Sequence, residues 1–179
     1  MSLFLDRLFR AAKLDTDLYH EVVADMGAMN QAMMAVVIYS AAAAVGTFGR
    51  MGAIGINIGM ITTLIGWYIG AFFTYIAGVR LFPEAQTNVD RKAVLRVLGF
   101  ASSPGLIRLL GLIPGLGGAA VLTATVWMIV AAVAAVKQAL NYKSTYRAVG
   151  VCMIGWIISA IVQGLLYVSL FSVFGVPAR

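Results

Sequence analysis

One run in the chain gathers side chains capable of chemistry: Gly99-Phe100-Ala101-Ser102-Ser103-Pro104-Gly105-Leu106-Ile107-Arg108. Arg108 stands inside an otherwise apolar stretch from Val97 to Gly118. A guanidinium in such a setting turns to a bundle interior or a cavity and is a functional-site hypothesis by default. Pro104 lacks an N–H and disfavours helix at the residue before it, whereas Ser103 suits an N-cap and proline the first helical position. The expected structure is two half-helices meeting near Ser102 to Pro104, with a second break at Ile113-Pro114-Gly115. Free amides at a half-helix N-terminus attract anionic groups. Ser102, Ser103, Gly105 and Arg108 therefore make a candidate site for a lipid headgroup or small anion. The plainer alternative has Arg108 snorkelling towards an interface and Pro104 merely kinking the helix.

Elsewhere the chemistry-bearing residues are sparse. His20 and Glu21 are adjacent and share no helical face, and His20 aligns poorly with Asp25, whereas acid/base catalysis needs groups converging on one substrate atom. A solvated acidic segment is the expectation there. Cys152 reads as a buried, inert thiol. With 1 Cys and 1 His, neither an intramolecular disulfide nor a structural zinc site is expected. No metal, cofactor or catalytic set is assigned, so the chain reads as non-enzymatic.

The elements that must position Arg108 follow from composition. The 179 residues are 61% hydrophobic and 11% charged, against about 25% charged in soluble domains. That excludes a soluble enzyme domain and, by its hydrophobicity, a disordered tail. Charge-free runs cover 26–49, 51–79, 109–136 and 148–178, each longer than the roughly 20 residues a helix needs to cross hydrocarbon. Counting the interrupted stretch around Arg108 as a fifth crossing places ten basic residues on the inner side, with Arg50 and Arg179 outside. All seven acidic residues fall on the inner side too, so the net +6 is a topology signal rather than a nucleic-acid footprint. The fold expected is an all-α polytopic bundle of five transmembrane helices with a broken third helix, N-terminus in the cytoplasm and C-terminus outside. Residues 1–27 form a cytoplasmic segment whose Leu5, Leu8, Phe9 and Ala12 make a short interfacial amphipathic helix. The membrane domain covers 28–175, and 176–179 is an outer tail.

In lipid, small residues let helices pack closely. Gly55, Gly59, Thr63, Gly66, Gly70, Thr74 and Ala77 repeat at 4, 4, 3, 4, 4 and 3, so the stripe hardly drifts around its helix. It serves either packing within the bundle or docking to a second copy or another membrane subunit. Trp67, Trp127 and Trp156 sit within spans and read as bulky elements facing small residues, while Tyr142 and Tyr146 fit interfacial anchors.

In order and spacing, several segments resemble bacterial members of the YIP1 family. They are Leu18-Tyr19-His20-Glu21-Val22 with Asp25, Gly78-Val79-Arg80-Leu81-Phe82, and Gly99 to Pro104 running into Leu109 to Gly117 through Pro114. Val126-Trp127-Met128, Val136 to Leu140 and Arg147-Ala148 continue the likeness, which covers roughly residues 17 to 165. The family positions are thus Tyr19, Glu21, Asp25, Arg80, Phe100, Pro104, Pro114, Trp127 and Arg147. The resemblance implies a five-span Yip1-like fold. Eukaryotic members act without catalysis in ER and Golgi traffic and associate with Rab GTPases through a long cytosolic N-terminal region. About 27 residues precede the first span here, so a Rab partner is not expected and a prokaryotic inner (plasma) membrane is. The leading expectation is a scaffold or accessory subunit that packs laterally with membrane partners or itself. The alternative is a small transporter, channel or lipid-handling protein built on the broken third span and Arg108.

Overall fold

A computed structural model describes residues 3–45 and 48–173, with side-chain surroundings described for 3–44, 57–170 and 172. Among them every regular element is helical. In chain order these are α1 (Leu3–Ala12), α2 (Thr16–Ala24), α3 (Ala28–Val45), α4 (Phe48–Ile76) ending in a π-helical turn (Ala77–Leu81), α5 (Arg91–Phe100), a 3-10 helix (Ser103–Leu112), α6 (Gly117–Ala139) and α7 (Thr145–Val173). Among the described residues, four segments are long and apolar enough to cross a membrane: Asn57–Leu81, Arg91–Leu112, Gly117–Ala139 and Thr145–Leu170. The interrupted stretch around Arg108, counted as a crossing from the distribution of Lys and Arg, is one of these. The described part of α3, Ala28–Ala44, is shorter. Leu122, Leu165 and Val168 on α6 and α7 are about two-thirds exposed. An outward face so apolar is compatible with an integral membrane protein, in which lipid covers it.

The charged loops gather at one end. Gln86 Nε2 donates to the Asn141 carbonyl (2.9 Å), Lys143 N–H to Glu84 (3.0 Å), and Arg96 to the carbonyls of Val22 (2.9 Å) and Val23 (2.6 Å). The start of α5, the end of α2 and both polar loops therefore share this basic end. Residues 45–56 and the tail beyond Val173 lie outside the residues whose surroundings are described, Gly55, Arg50 and Arg179 among them.

In the N-terminal segment α1 folds back on α2 and docks into the bundle. Leu8, Ala11, Leu18, Tyr19 and Val22 join α3, α5 and α6 in one core cluster. Arg7 is buried at 3% exposure while Leu3, Leu5 and Phe9 face outward, so the anticipated apolar stripe splits between two faces. Arg7 donates to Glu21 (2.7 and 2.9 Å), Asp25 (2.8 Å) and Gln31 (3.0 Å), and Arg10 donates to Asp15 and Glu21, both at 2.7 Å. Glu21 and Asp25 are thus ion-paired partners of α1, not a solvated acidic stretch. Asp15 also caps α2 by accepting from the Asp17 N–H (3.0 Å).

Small residues set the helix spacing. A Cβ on Gly99 would stand 2.8 Å from the Ala32 Cβ and 2.9 Å from its carbonyl oxygen, so α3 and α5 meet almost backbone to backbone. The alanines of α6 at 120, 124, 131 and 135 are all buried.

Candidate functional site

The polypeptide changes helical type at the point the sequence singles out, but without a gap. Ala101 N–H still bonds Val97 four residues back (2.9 Å), whereas Ser102 N–H bonds Gly99 (3.3 Å) and Gly105 N–H bonds Ser102 (2.9 Å), three residues back. Pro104 has no N–H to offer Phe100, which removes the α-helical bond and favours the tighter turn. The backbone stays right-handed helical through Ala101 and Ser102. Two half-helices with a free N-terminus are therefore not formed, and no amide cradle for an anion results. Nor does Ser103 cap; the flanking residue is Ser102, whose hydroxyl donates back to the Gly99 carbonyl (2.6 Å). The second break does occur. Ile113 is extended and Gly115 adopts φ +87°, a left-handed value suited to glycine, before α6 begins.

The ten-residue 3-10 helix is much longer than the usual three or four residues. Its three-residue period has a direct consequence: Ser102, Gly105 and Arg108 fall on one face. An α-helix would turn each of them about 60° from the last. Gly105 permits the close approach this requires, because a Cβ there would overlap the Tyr39 ring of α3 and crowd Met128 Sδ of α6. The Tyr39 ring in turn lies under the Arg108 guanidinium, 5.3 Å from Cζ to the ring centre, as in a cation–π contact.

Arg108 borders a cavity of about 370 Å³ in the middle of the bundle. Ser102 lines the same space, as do Thr63, Gly66, Trp67, Gly70 and Thr74 of α4, Thr125 and Met128 of α6, and Trp156, Ser159 and Gln163 of α7. Arg108 donates one bond from NH2 to the Thr125 hydroxyl (3.2 Å). Its buried Nε–H has no acceptor, and neither has the buried Nε1–H of Trp67. Ser103 Oγ is likewise buried without a partner, though it does not line the cavity. Arg108 turns towards Thr125 and Tyr39, and among the described residues it forms no ion pair. Sequence reading missed Trp67 and Ser159 as members of this site. The signal available was that both sit at helical spacing beside the small-residue stripe or within its partner helix.

The stripe itself is engaged within the chain. Gly66 is covered by Gln163, and Ser159 Oγ donates to the Gly66 carbonyl (2.8 Å). A Cβ on Gly70 would lie 3.2 Å from the Ser159 Cβ, and one on Gly155 would lie 2.7 Å from the Gly70 carbonyl and against the Thr74 hydroxyl. Gly155, Ser159 and Gln163 of α7, spaced by four, thus interlock with Gly66, Gly70 and Thr74 of α4. Ala77 continues the contact into a cluster with Leu140, Ala148 and Val151. Thr63 Oγ1 turns back to the Gly59 carbonyl (2.7 Å), while a Cβ on Gly59 would meet nothing within 4 Å.

No family model, curated protein or solved structure matches this chain.

The remaining positions singled out by sequence scatter around this centre. Phe100 and Pro104 are buried in the core, and Pro114 is exposed in the turn before α6. Tyr19 is buried, its hydroxyl pointing at the Ala11 carbonyl (3.5 Å). Trp127 is not a core element: it is 44% exposed and donates from Nε1 to the Ala12 carbonyl (2.8 Å), which pins the end of α1 to α6. Trp67 and Trp156, by contrast, do face the small residues. Tyr146 is exposed as an anchor would be, but Tyr142 is buried. The Tyr142 hydroxyl is shared between the carbonyls of Gly78 and Phe82, each at 2.8 Å, which the π-helical turn leaves available. Burial, reinforced by nearby Glu84, pushes this phenol up to about 12, so it stays a donor. Tyr142→Phe is expected to cost about 1 kcal/mol, read as a lowered thermal midpoint, because two buried carbonyls lose their donor. Arg80 is exposed on the same turn. Arg147 NH1 donates to the Pro83 carbonyl (3.2 Å) beside Glu84. The Lys143 N–H bond, with that of Ser144, holds the Glu84 carboxyl below its usual range.

Proposed function

We propose that this chain is a non-enzymatic integral membrane protein whose central cavity binds an anionic, hydrogen-bond-accepting ligand, the lipid-handling alternative weighed from sequence. One observation carries the reading: Arg108 and Trp67 line the same cavity, and each holds a buried N–H with no acceptor among the described residues. A buried donor left without an acceptor costs about 1–3 kcal/mol, more when charged. An anionic oxygen bound in this cavity offsets the guanidinium charge and supplies the acceptor that is missing. The scaffold reading draws less support, since the small-residue stripe packs on α7 from Gly66 to Ala77; the open space at Gly59 is what remains for a lateral partner.

In this reading α3 is a further crossing, which makes five. The end bearing α1, α2 and the basic loops then faces the cytoplasm of a prokaryotic inner membrane, in line with the distribution of Lys and Arg. The Yip1-like assignment rests on the order of its motifs.

The test is native mass spectrometry of protein extracted in a neutral detergent. Wild type is expected to retain one tightly bound acidic ligand, Arg108→Gln to lose it, and Arg108→Lys to recover part of it by keeping the charge. Equal occupancy in wild type and Arg108→Gln, or an empty wild-type cavity, rejects the proposal.

A further inference from the structure

We infer that the ligand is an amphiphile loaded sideways from the bilayer, its phosphate or carboxylate head held by Arg108 and Trp67 and its chain leaving past Ile129. This rests on the cavity being a binding site, as proposed above, and names what it takes and by which route.

The head follows from which donors are still free. The hydroxyls of Ser102, Ser159 and Thr125 give their protons to the carbonyls of Gly99, Gly66 and Val121, and Gln163 Nε2 donates to Ser159. Arg108 Nε–H and Trp67 Nε1–H have no such outlet. No acidic side chain lines the cavity among the described residues, so the Arg108 charge is unopposed there. The spare N–H groups of Arg108 and Trp67, with one uncompensated positive charge, select an anionic oxygen acceptor rather than a cationic group.

The chain follows from the rest of the wall. Val36, Leu98, Met128, Ile129, Ala132 and Trp156 are apolar and give a head no partner. The route follows from Ile129, which lines the cavity and is nevertheless 41% exposed on the outward face of α6. Its outward neighbours Val126 and Val130 are about half exposed, so the mouth opens where lipid chains lie. Towards the basic end, α6 and α7 are closed against each other by Val136, Ala148 and Val151 and by the Cys152 thiol on the Ala132 carbonyl (3.7 Å). The opening therefore lies on the lipid side of this seam. A volume of about 370 Å³ falls at the small end of ligand pockets, enough for a head and the start of a chain.

The experiment titrates the full-length protein, delipidated in neutral detergent, with phosphatidylglycerol, oleate, phosphatidylcholine or inorganic phosphate, reading bound species by native mass spectrometry. Saturable one-to-one binding of phosphatidylglycerol or oleate is expected, at least tenfold tighter than phosphatidylcholine and than inorganic phosphate. Whichever of the two anionic amphiphiles binds assigns the head as phosphate or carboxylate. Ile129→Trp, which narrows the mouth and leaves both donors intact, is expected to weaken amphiphile binding at least tenfold. Phosphatidylcholine binding as tightly as the anionic lipids overturns the inference, as does an Ile129→Trp variant that binds them unchanged. Inorganic phosphate binding as tightly as the lipids leaves a ligand site but overturns the amphiphile. Binding of none of the four probes overturns both this inference and the proposed function.

Discussion

Gly155→Ala is expected to destabilise the bundle by about 1–3 kcal/mol, the usual cost of forcing an extra methyl into a well-packed contact. The new Cβ has no flexible neighbour to displace. It would meet the Gly70 carbonyl at 2.7 Å and the Thr74 hydroxyl, so α4 and α7 must move apart. That movement also disturbs the Ser159 to Gly66 bond and the wall of the cavity. Gly59→Ala on the same stripe is expected to do the opposite. Nothing lies within 4 Å of its added methyl, and replacing a mid-helix glycine by alanine gains roughly 0.5–1 kcal/mol in helix formation. Thermal unfolding in detergent, followed by circular dichroism, checks both signs. A neutral Gly155→Ala would mean that α4 and α7 do not interlock as described. A strongly destabilising Gly59→Ala would instead show that the far end of the stripe is covered by another protein chain, which is the scaffold reading.

Arg7→Met is expected to release the α1–α2 hairpin. Arg7 makes four side-chain hydrogen bonds, three of them to carboxylates, from a side chain only 4% exposed. Hydrogen bonds to charged groups contribute about 1.5–3 kcal/mol. Because Glu21 and Asp25 remain more than a third exposed, water takes over part of their solvation when Arg7 is lost, and the low end of that range applies. The readout is faster tryptic cleavage at exposed Lys13 and faster amide exchange across Leu18 to Val22, with the membrane helices unaffected. Unchanged protection would place the hold on the hairpin in its apolar contacts alone.

The same network has a pH signature. Hydrogen bonds from Arg10 and then Arg7 hold Glu21 below its usual value of 4.5, and Arg7 does the same for Asp25 below 3.8. Arg10 holds Asp15 down likewise. A carboxyl whose folded pKa is depressed contributes stability that is complete above its unfolded pKa and is lost as pH falls through the folded one. Hairpin protection is therefore expected to be flat from pH 7 to 5 and to fall below about pH 4. In Arg7→Met that acid dependence should shrink.

Several features were legible in the sequence because they depend on short-range rules. Long charge-free runs mark helices that need an apolar surrounding, whatever their partners. Pro104 and Gly115 mark changes of backbone geometry through a missing N–H and a left-handed φ. The stripe from Gly66 to Ala77 marks a close contact, since small side chains in series let two helices approach. Other features were hidden because charge alone does not say where a side chain goes. The three side chains bonded to Arg7 come from 14 to 24 residues away, so its burial looked like solvation. Tyr142 and Trp127 exchanged their expected roles for a similar reason, each drawn to a backbone carbonyl on a distant element.

By itself, then, the sequence determined that this is a chain of apolar helices with Arg108 inside one apolar run, because hydrophobic length and proline chemistry act locally. Tertiary structure decided what that arginine faces. The long 3-10 helix puts Ser102, Gly105 and Arg108 on one face, and the α4–α7 contact sets Trp67 at the same cavity. Neither follows from composition or periodicity: the helical period after Pro104 depends on how closely α3 and α6 press on the backbone at Gly105, and an unmet hydrogen bond exists only once every neighbour has taken its place.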